Sequence, residues 1–223
     1  MKKVLPILIP LLTLFFSCEE EGNDYRYPSV ITDFVCFSTD VKGQLEYMHT
    51  DKGNRYTLRL TEELLEHFDH QTPSYRPDTV YRAIGIYELT YMEKGDTIAD
   101  IYSIGHIVSE IPTPLRLGEA LRQDPVYFQS CWLSGGYMNM VIELKALNGS
   151  HTLGFIDTTP EGMNGKEFTL YHDAHGDIES YRQKLYASIP LFPFEKDLRQ
   201  GDTIRFVANT YDKGISKYEF EIQ

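Results

Sequence analysis

Alternation of apolar and polar residues along short segments is the feature that most constrains the fold of this 223-residue chain. In segment 55–60, Tyr56, Leu58 and Leu60 alternate with arginine and threonine residues, and segment 216–222 repeats this period of two. Successive side chains of a β-strand point to opposite faces, so the period predicts strands with one buried face. Tyrosine and phenylalanine, which favour strands, number 16 and 12. We therefore predict an all-β protein.

The N-terminal half is predicted to form a small barrel of the OB type. Its alternating segments predict five strands, at 30–37, 45–49, 55–60, 79–92 and 98–108. Between the third and fourth strands, Thr61 precedes an acidic turn and an apolar stripe, so it is expected to cap a short helix. Three strands, one helix and two strands is the order of an OB fold, a five-stranded Greek-key barrel. The predicted barrel spans 29–110, and a proline-containing linker follows at 111–129.

The C-terminal half, 130–223, is predicted to be an antiparallel β-sandwich. Alternating segments predict six strands, at 137–144, 153–155, 168–172, 183–190, 203–211 and 216–222. Asn148-Gly149 is a strong two-residue hairpin signal, because both residues tolerate the positive φ that such turns need. It is expected to join the first two of these strands.

The first residues predict an exported, lipid-anchored protein. Lys2 and Lys3 precede an apolar stretch at 4–16, which is typical of a signal peptide covering 1–17. That stretch is too short to span a membrane as a helix, which takes roughly 20 residues. The sequence Phe-Phe-Ser before Cys18 resembles a bacterial lipobox, in which the cysteine thiol is acylated, for example with palmitate. The alternative is an ordinary signal peptide with an incidental cysteine.

Residues 18–28 are expected to be an acidic, lipidated tether. The run Glu19–Glu21 resembles the export signal that brings lipoproteins to the cell surface in Bacteroides-like bacteria, and the alternative is a solvated charged spacer. Acyl chains on Cys18 would make membrane lipid a partner and hold the protein at the outer membrane, surface-exposed or periplasm-facing. The formal net charge of −12 argues against nucleic acid as a partner, since its binding depends on basic residues.

Cys36 and Cys131 are the two cysteines beyond the tether. A buried free thiol is the default interpretation for Cys36, which lies in an apolar strand. The alternative is a disulfide between them, which an oxidising compartment would permit. That bond requires the two residues to be close in space, and a single distant pair does not establish it.

Two groups of residues are candidates for binding chemistry. The cluster His172, His175 and Asp177 has metal-ligand residue types, but a core histidine followed by a turn explains it as well. The other group is Tyr81, Tyr87 and Tyr91, which share one face of the fourth strand. If Ile84 and Ile86 fill the barrel, these tyrosines face outward and could stack on a sugar; the alternative is that they merely suit a strand or pack on the second domain.

Two segments resemble the NigD-like lipoproteins of Bacteroides-type bacteria. Trp132-Leu-Ser-Gly-Gly-Tyr-Met-Asn139 is similar to that family's W-x-x-GGYLN segment, and Leu170-Tyr-His-Asp-Ala-His-Gly-Asp177 to its L-x-H-N-x-x-x-D segment. The resemblance implies a lipid anchor, an OB-like domain and a β-sandwich, with no established enzymatic activity. Gly135 and Gly136 are expected to form a bulge or to allow close packing against Trp132.

The expected function is that of a non-enzymatic binding or scaffolding module of the cell envelope, with a protein or glycan partner and no cofactor. The sequence has no G-x-S-x-G, H-E-x-x-H or C-x-x-C motif. One alternative is a glycan-binding accessory of a polysaccharide-uptake system. A bacteriocin-immunity role is a further alternative that rests on the family's name. A metal-dependent hydrolase around His172 and His175 would be the enzymatic alternative.

Overall fold

The computed structural model describes residues 29–62, 64, 75–93 and 95–223. The strands of these residues are, in chain order, β1 (Ile31–Thr39), β2 (Leu45–Thr50), β3 (Arg55–Leu60), β4 (Val80–Tyr91), β5 (Thr97–Gly105), β6 (Tyr127–Ser134), β7 (Tyr137–Ala146), β8 (Thr152–Asp157), β9 (Gly165–Asp173), β10 (Tyr181–Pro190), β11 (Thr203–Thr210) and β12 (Gly214–Glu221). A single turn of 3₁₀ helix, Phe192–Phe194, lies between β10 and β11. The all-β prediction is confirmed.

Strands β1 to β5 close into a barrel in the order β1-β2-β3-β5-β4, which confirms the predicted OB-like domain. β3 and β5 run parallel, and the other neighbours are antiparallel. The barrel core holds Val35, Phe37, Met48 and Ile101. Leu64 is helical and donates its backbone N–H to Thr61 Oγ1 at 3.4 Å, as expected of a cap. The remainder of the predicted helix lies outside the described residues.

Strands β6 to β12 form two packed sheets, so the predicted β-sandwich is also confirmed. One sheet has the order β10-β7-β6 and the other β12-β11-β9-β8. Their shared core is built from inward-facing residues such as Met140, Ile142, Phe168 and Phe206. Two details differ from the prediction. β9 and β11 pair in parallel, and β6 is an additional strand that begins inside the segment predicted as a linker.

The segment between barrel and sandwich lies along the sandwich through backbone hydrogen bonds. Asp157 donates its N–H to Thr113 O, and Val126 donates its N–H to Asn209 O, each at 3.0 Å. Alternation did not indicate these bonds, because the segment contains prolines and does not form a regular strand. It pairs with the sandwich only through isolated β-bridges.

The predicted hairpin at Asn148-Gly149 is wrong. β7 and β8, which flank it, belong to different sheets, and β8 pairs with β9. The loop instead wraps the carboxylate of Asp177, to which Leu147 donates its backbone N–H at 2.9 Å. Gly149 packs so closely there that an added Cβ would lie 2.5 Å from Asp177 Cβ. The dipeptide signals a tight local turn and does not specify which strand follows in space.

Among the described residues, no helix has the length and apolar character needed to cross a membrane. The predicted signal peptide at 1–17, Cys18 and the tether at 18–28 lie outside the described residues.

Candidate functional site at the barrel–sandwich junction

The middle of strand β4 is buried on both faces. Tyr87 and Ala83 belong to the barrel core, whereas Ile84, on the other face, pairs across the strands with Phe34 of β1 and faces the sandwich. The expectation that Ile84 and Ile86 fill the barrel is therefore wrong. Both faces carry apolar residues because one covers the barrel interior and the other covers the second domain, so alternation could not indicate which was which.

The three tyrosines of β4 consequently have different environments. Tyr87 is 3% exposed, and burial raises its pKa to about 12. Tyr81 accepts a hydrogen bond from the backbone N–H of Arg76 at 2.6 Å and packs edge-on against Tyr75. Tyr91 is 77% exposed. The predicted outward tyrosine surface is therefore wrong at Tyr87, and ligand binding by Tyr81 and Tyr91 stays a prediction.

An aromatic cluster joins the outer face of the barrel to the sandwich. Phe34 of β1 contacts Trp132 of β6 and Tyr186 of β10 in edge-to-face geometry, with ring centroids 5.4 and 5.8 Å away. Beside this cluster, Val108 exchanges backbone hydrogen bonds with Tyr186 and Ser188 at 3.1 and 2.9 Å. Trp132 of the family-like segment thus lies at the contact between the two domains.

A buried ion pair lies next to the aromatic cluster. The side chains of Arg82 and Asp51 are only 4% and 9% exposed, and Arg82 Nη2 donates to Asp51 Oδ2 at 2.7 Å. The sandwich completes the network with Asn139, whose Oδ1 accepts from Arg82 at 2.9 Å and whose Nδ2 donates to Asp51 at 2.9 Å. Ser188 donates to Asn139 Oδ1 and accepts from Arg82 Nε at 3.3 Å.

The network leaves Arg82 charged although it is buried. Burial by itself lowers the pKa of Arg82, but the hydrogen bond and charge of Asp51, together with Cys36, raise it above its ordinary value. The Tyr137 ring lies 4.0 Å from the guanidinium carbon and adds a cation–π contact. Barrel and sandwich therefore share one hydrogen-bonded network, which fixes their relative position.

Gly135 and Gly136 form the two-residue turn of the β6–β7 hairpin, in which Ser134 pairs with Tyr137. Their φ values are +60° and +80°, which glycine adopts without steric cost. The expectation of a bulge or of packing against Trp132 is therefore wrong. Gly135 instead lies against the ion pair, because an added Cβ would come within 2.7 Å of Asp51 Cγ.

Cys36 and Cys131, the two cysteines among the described residues, are free thiols. Cys36 of β1 lies at the junction, where its Sγ is 3.5 Å from Tyr137 Oη and 3.5 Å from Arg82 Nη1. Cys131 packs at the edge of the sandwich core, and burial raises the pKa of its thiol to about 12. The disulfide alternative is therefore wrong, and Cys36 is a free thiol that is half-buried, whereas a buried one was expected.

The candidate metal ligands lie in two different environments. His172 is buried and its Nε2 is 2.8 Å from Nδ1 of His151, whose Nε2 is 3.2 Å from Asp177 Oδ2. His175 is half-exposed, has a φ of +51° and contacts Thr152 Oγ1 at 2.9 Å. No three metal-ligand side chains converge anywhere in the described part of the chain. The structure does not bring His172, His175 and Asp177 together as one ligand set: His172 is a buried core residue and His175 lies in a turn. Metal binding by these residues stays a prediction.

The histidine pair is connected to acceptors at both ends. His172 Nδ1 lies 2.9 Å from the carbonyl oxygen of Asp124, and Asp177 accepts at the far end. A carbonyl and a carboxylate can only accept, so all three hydrogen bonds are satisfied only when the two rings share three protons. Burial lowers the pKa of His172. Burial therefore disfavours a positive charge on the His172 ring.

Acid stability is expected to depend on Asp177. Backbone N–H donation by Leu147, together with His151, lowers the pKa of Asp177 to about 2, compared with about 3.9 in unfolded chains. Stability from this group is thus fully present above about pH 4 and is lost as the pH falls towards 2. Asp177→Asn should flatten the decline of the thermal midpoint between about pH 5 and 2. The exposed Asp212→Asn is the control, and an equal flattening in both variants would contradict this prediction.

Two clefts open beside Phe192, which is 55% exposed at the junction. The first, of about 400 Å³, is lined by Val80, Tyr81, Ile111 and Tyr137 among others. The second, of about 760 Å³, lies between β6 and β12. Val80 and Ile111 are also exposed, so the junction presents apolar side chains to solvent next to a rigid, buried network.

Sequence reasoning missed Asp51, Arg82, Ser188 and His151. Each is a single polar residue in a strand, a turn or a loop, with no local pattern that marks it. Trp132, Gly135, Tyr137 and Asn139 carried a signal, because they belong to the Trp132–Asn139 segment.

Comparisons with known proteins give a consistent result. A family model described as the NigD-like C-terminal beta sandwich domain matches residues 111–222. A solved NigD-like immunity protein from Bacteroides caccae is 27% identical, with a TM-score of 0.68, over 89% of this chain and 100% of that one. A comparison with curated proteins found no match.

Two further solved structures share the fold at lower identity. A candidate toxin-related protein from Parabacteroides distasonis is 17% identical with a TM-score of 0.61, covering 87% of this chain and 93% of that one. A candidate lipoprotein from Bacteroides fragilis is 10% identical with a TM-score of 0.59, covering 87% and 97%. The likeness therefore extends over barrel and sandwich together.

Proposed function

We propose that this chain, which belongs to the NigD-like family, is a lipid-anchored, non-enzymatic protein of the cell envelope that binds another protein at its barrel–sandwich junction. The observation that carries the proposal is the exposure of Phe192, Val80 and Ile111 around the two clefts. Contiguous apolar surface of this kind marks interaction sites on water-soluble domains. The buried Arg82–Asp51 network beneath it holds the surface in one arrangement, which reduces the entropy lost on binding.

Two observations support anchoring at the outer membrane. The leader and Cys18 resemble a lipobox, and the Bacteroides fragilis protein described as a candidate lipoprotein shares the fold. Acyl chains on Cys18 would hold the folded domains on the tether at 18–28.

A non-enzymatic role is supported by how the polar groups of the junction are used. Arg82, Asp51, Asn139 and Ser188 satisfy one another, and the buried histidines are bonded at both ends. Catalytic groups need an open position for substrate, and these side chains have partners instead.

A protein partner is favoured over a glycan. Tyr87 is buried, so β4 offers no row of aromatic rings for sugar stacking. Bacteriocin immunity is a second candidate function, since the Bacteroides caccae relative is described as an immunity protein. In that case the bound protein would be a toxin, recognised at the same junction.

Site-specific photo-cross-linking in the native bacterium tests the proposal. A photoreactive phenylalanine analogue at Phe192 should give a discrete cross-linked protein band in the envelope fraction. The same analogue at Val41, which is exposed on the β1–β2 turn of the barrel, is the control and should give none.

The anchoring part of the proposal is tested with Cys18→Ala in the same cells. This variant should incorporate no labelled fatty acid, leave the membrane fraction and lose the cross-link at Phe192. No protein cross-link at Phe192, combined with saturable binding of oligosaccharide by the purified protein, would favour the glycan alternative.

A further inference from the structure

The cleft of about 760 Å³ lies at an open end of the sandwich, between the edge strands β6 and β12. Phe128 stacks on Tyr218 with ring centroids 4.0 Å apart, which closes the two sheets at that level. Further along, the cleft opens between Trp132 of β6 and Phe220 and Ile222 at the end of β12. Leu191, Leu198 and Ile204 contribute to its apolar floor. The half-buried state of Phe220 and Ile222 follows from this opening.

The edge of β12 has backbone groups available for another strand. In the part of the chain that the structure describes, β12 pairs only with β11. Ile222 donates its N–H to Asp202 O and accepts from Gly201 N–H, each at 2.9 Å, so it directs both groups towards β11. Because the direction alternates along an antiparallel strand, Glu219 and Glu221 direct their N–H and C=O groups outward.

The cleft has a charge of one sign. Three glutamates line it, Glu195, Glu219 and Glu221, and no lysine or arginine does so among the described residues. Glu219 pairs with Arg205 at 2.6 Å. Glu195 and Glu221 are exposed and form no ion pair with the described part of the chain. Such a rim favours a cationic partner.

We propose that β12 is extended by a strand from the protein partner, in which basic residues alternate with apolar ones. Residues directly opposite each other in an antiparallel pair share a face of the sheet. Side chains opposite Phe220 and Ile222 therefore enter the apolar cleft, and those opposite Glu219 and Glu221 lie beside the carboxylates. This inference rests on the proposed function and specifies the chemistry of its partner.

Binding of short synthetic peptides tests the pairing, with Trp132 as the reporter. Trp132 is the single tryptophan of the chain, so all tryptophan emission comes from a residue that lines the cleft. A peptide of alternating lysine and valine should change the emission saturably. Peptides of alternating glutamate and valine, of alternating lysine and serine, and a lysine–valine peptide interrupted by proline should not, since each lacks one required feature.

A matched pair of charge variants then locates the interaction. Glu195→Gln/Glu221→Gln should weaken binding of the lysine–valine peptide about tenfold, the effect of losing two exposed ion pairs. Glu93→Gln/Glu161→Gln removes the same charge from exposed sites outside the cleft and should bind as the parent protein does. Equal binding by both double variants, or binding of the glutamate–valine peptide, would overturn the inference. A cross-link at Phe192 would then still support the proposed function, because that cross-link does not require a partner strand to pair with β12.

Discussion

Replacing Arg82 with alanine is expected to destabilise the folded protein by about 3–5 kcal/mol, the cost of breaking a buried ion pair. The substitution leaves the Asp51 carboxylate buried with Asn139 as its remaining strong donor. It also removes the cation that Tyr137 contacts at 4.0 Å and the donor to Ser188. Because these groups come from both domains, barrel and sandwich should lose their fixed contact together.

Urea unfolding followed by circular dichroism and by Trp132 fluorescence measures this effect. Arg59→Ala is the matched control, since Arg59 also pairs with an aspartate in the barrel, Asp100, but its side chain is 55% exposed. Exposed pairs contribute about 0–1 kcal/mol. Equal losses in the two variants would show that the junction pair has no special stabilising role.

Replacing Gly135 with alanine is expected to cost about 3 kcal/mol or more, through two effects that add. A left-handed backbone conformation is unfavourable for alanine, by about 1–2 kcal/mol. In addition, the new Cβ would lie 2.7 Å from Asp51 Cγ and 2.8 Å from Asp51 Cα, so Asp51 must shift from the position in which it pairs with Arg82.

Gly136→Ala separates these two effects. Gly136 has a φ of +80°, but an added Cβ would meet nothing within 4 Å. This variant should therefore lose only about 1–2 kcal/mol. The measurement is again the free energy of unfolding, and a loss as large for Gly136→Ala as for Gly135→Ala would show that the turn conformation alone matters.

Both substitutions, Arg82→Ala and Gly135→Ala, disturb contacts that the Trp132–Asn139 segment makes with the barrel. Trp132 packs on Phe34, Gly135 lies against Asp51, Tyr137 covers Arg82 and Asn139 joins the ion pair. Its residues bind the barrel to the sandwich and place Phe192 beside both clefts. The segment supports the proposed binding surface from below and contributes Trp132 and Gly136 to its lining.

Alternation along the sequence predicts every described strand except β6, and it predicts both the barrel and the sandwich. A period of two is a local property, because each residue's face follows from the residue before it. For the same reason Thr61, with its short side-chain oxygen, was identified as a cap without knowledge of any distant contact. The residues of the sandwich core, such as Met140 and Ile142, also follow from alternation along β7.

Three features depend on packing between distant segments: the face of β4 that fills the barrel, the course of the Asn148-Gly149 loop, and the contacts of Arg82 with Asp51. Apolar residues on both faces of a strand are compatible with either orientation, and a turn dipeptide does not select the next strand's partner. Arg82 and Asp51 lie 31 positions apart in the chain, and Asn139 lies 57 beyond Arg82. A buried charge is stable only beside its partner, and that proximity arises when barrel and sandwich pack together.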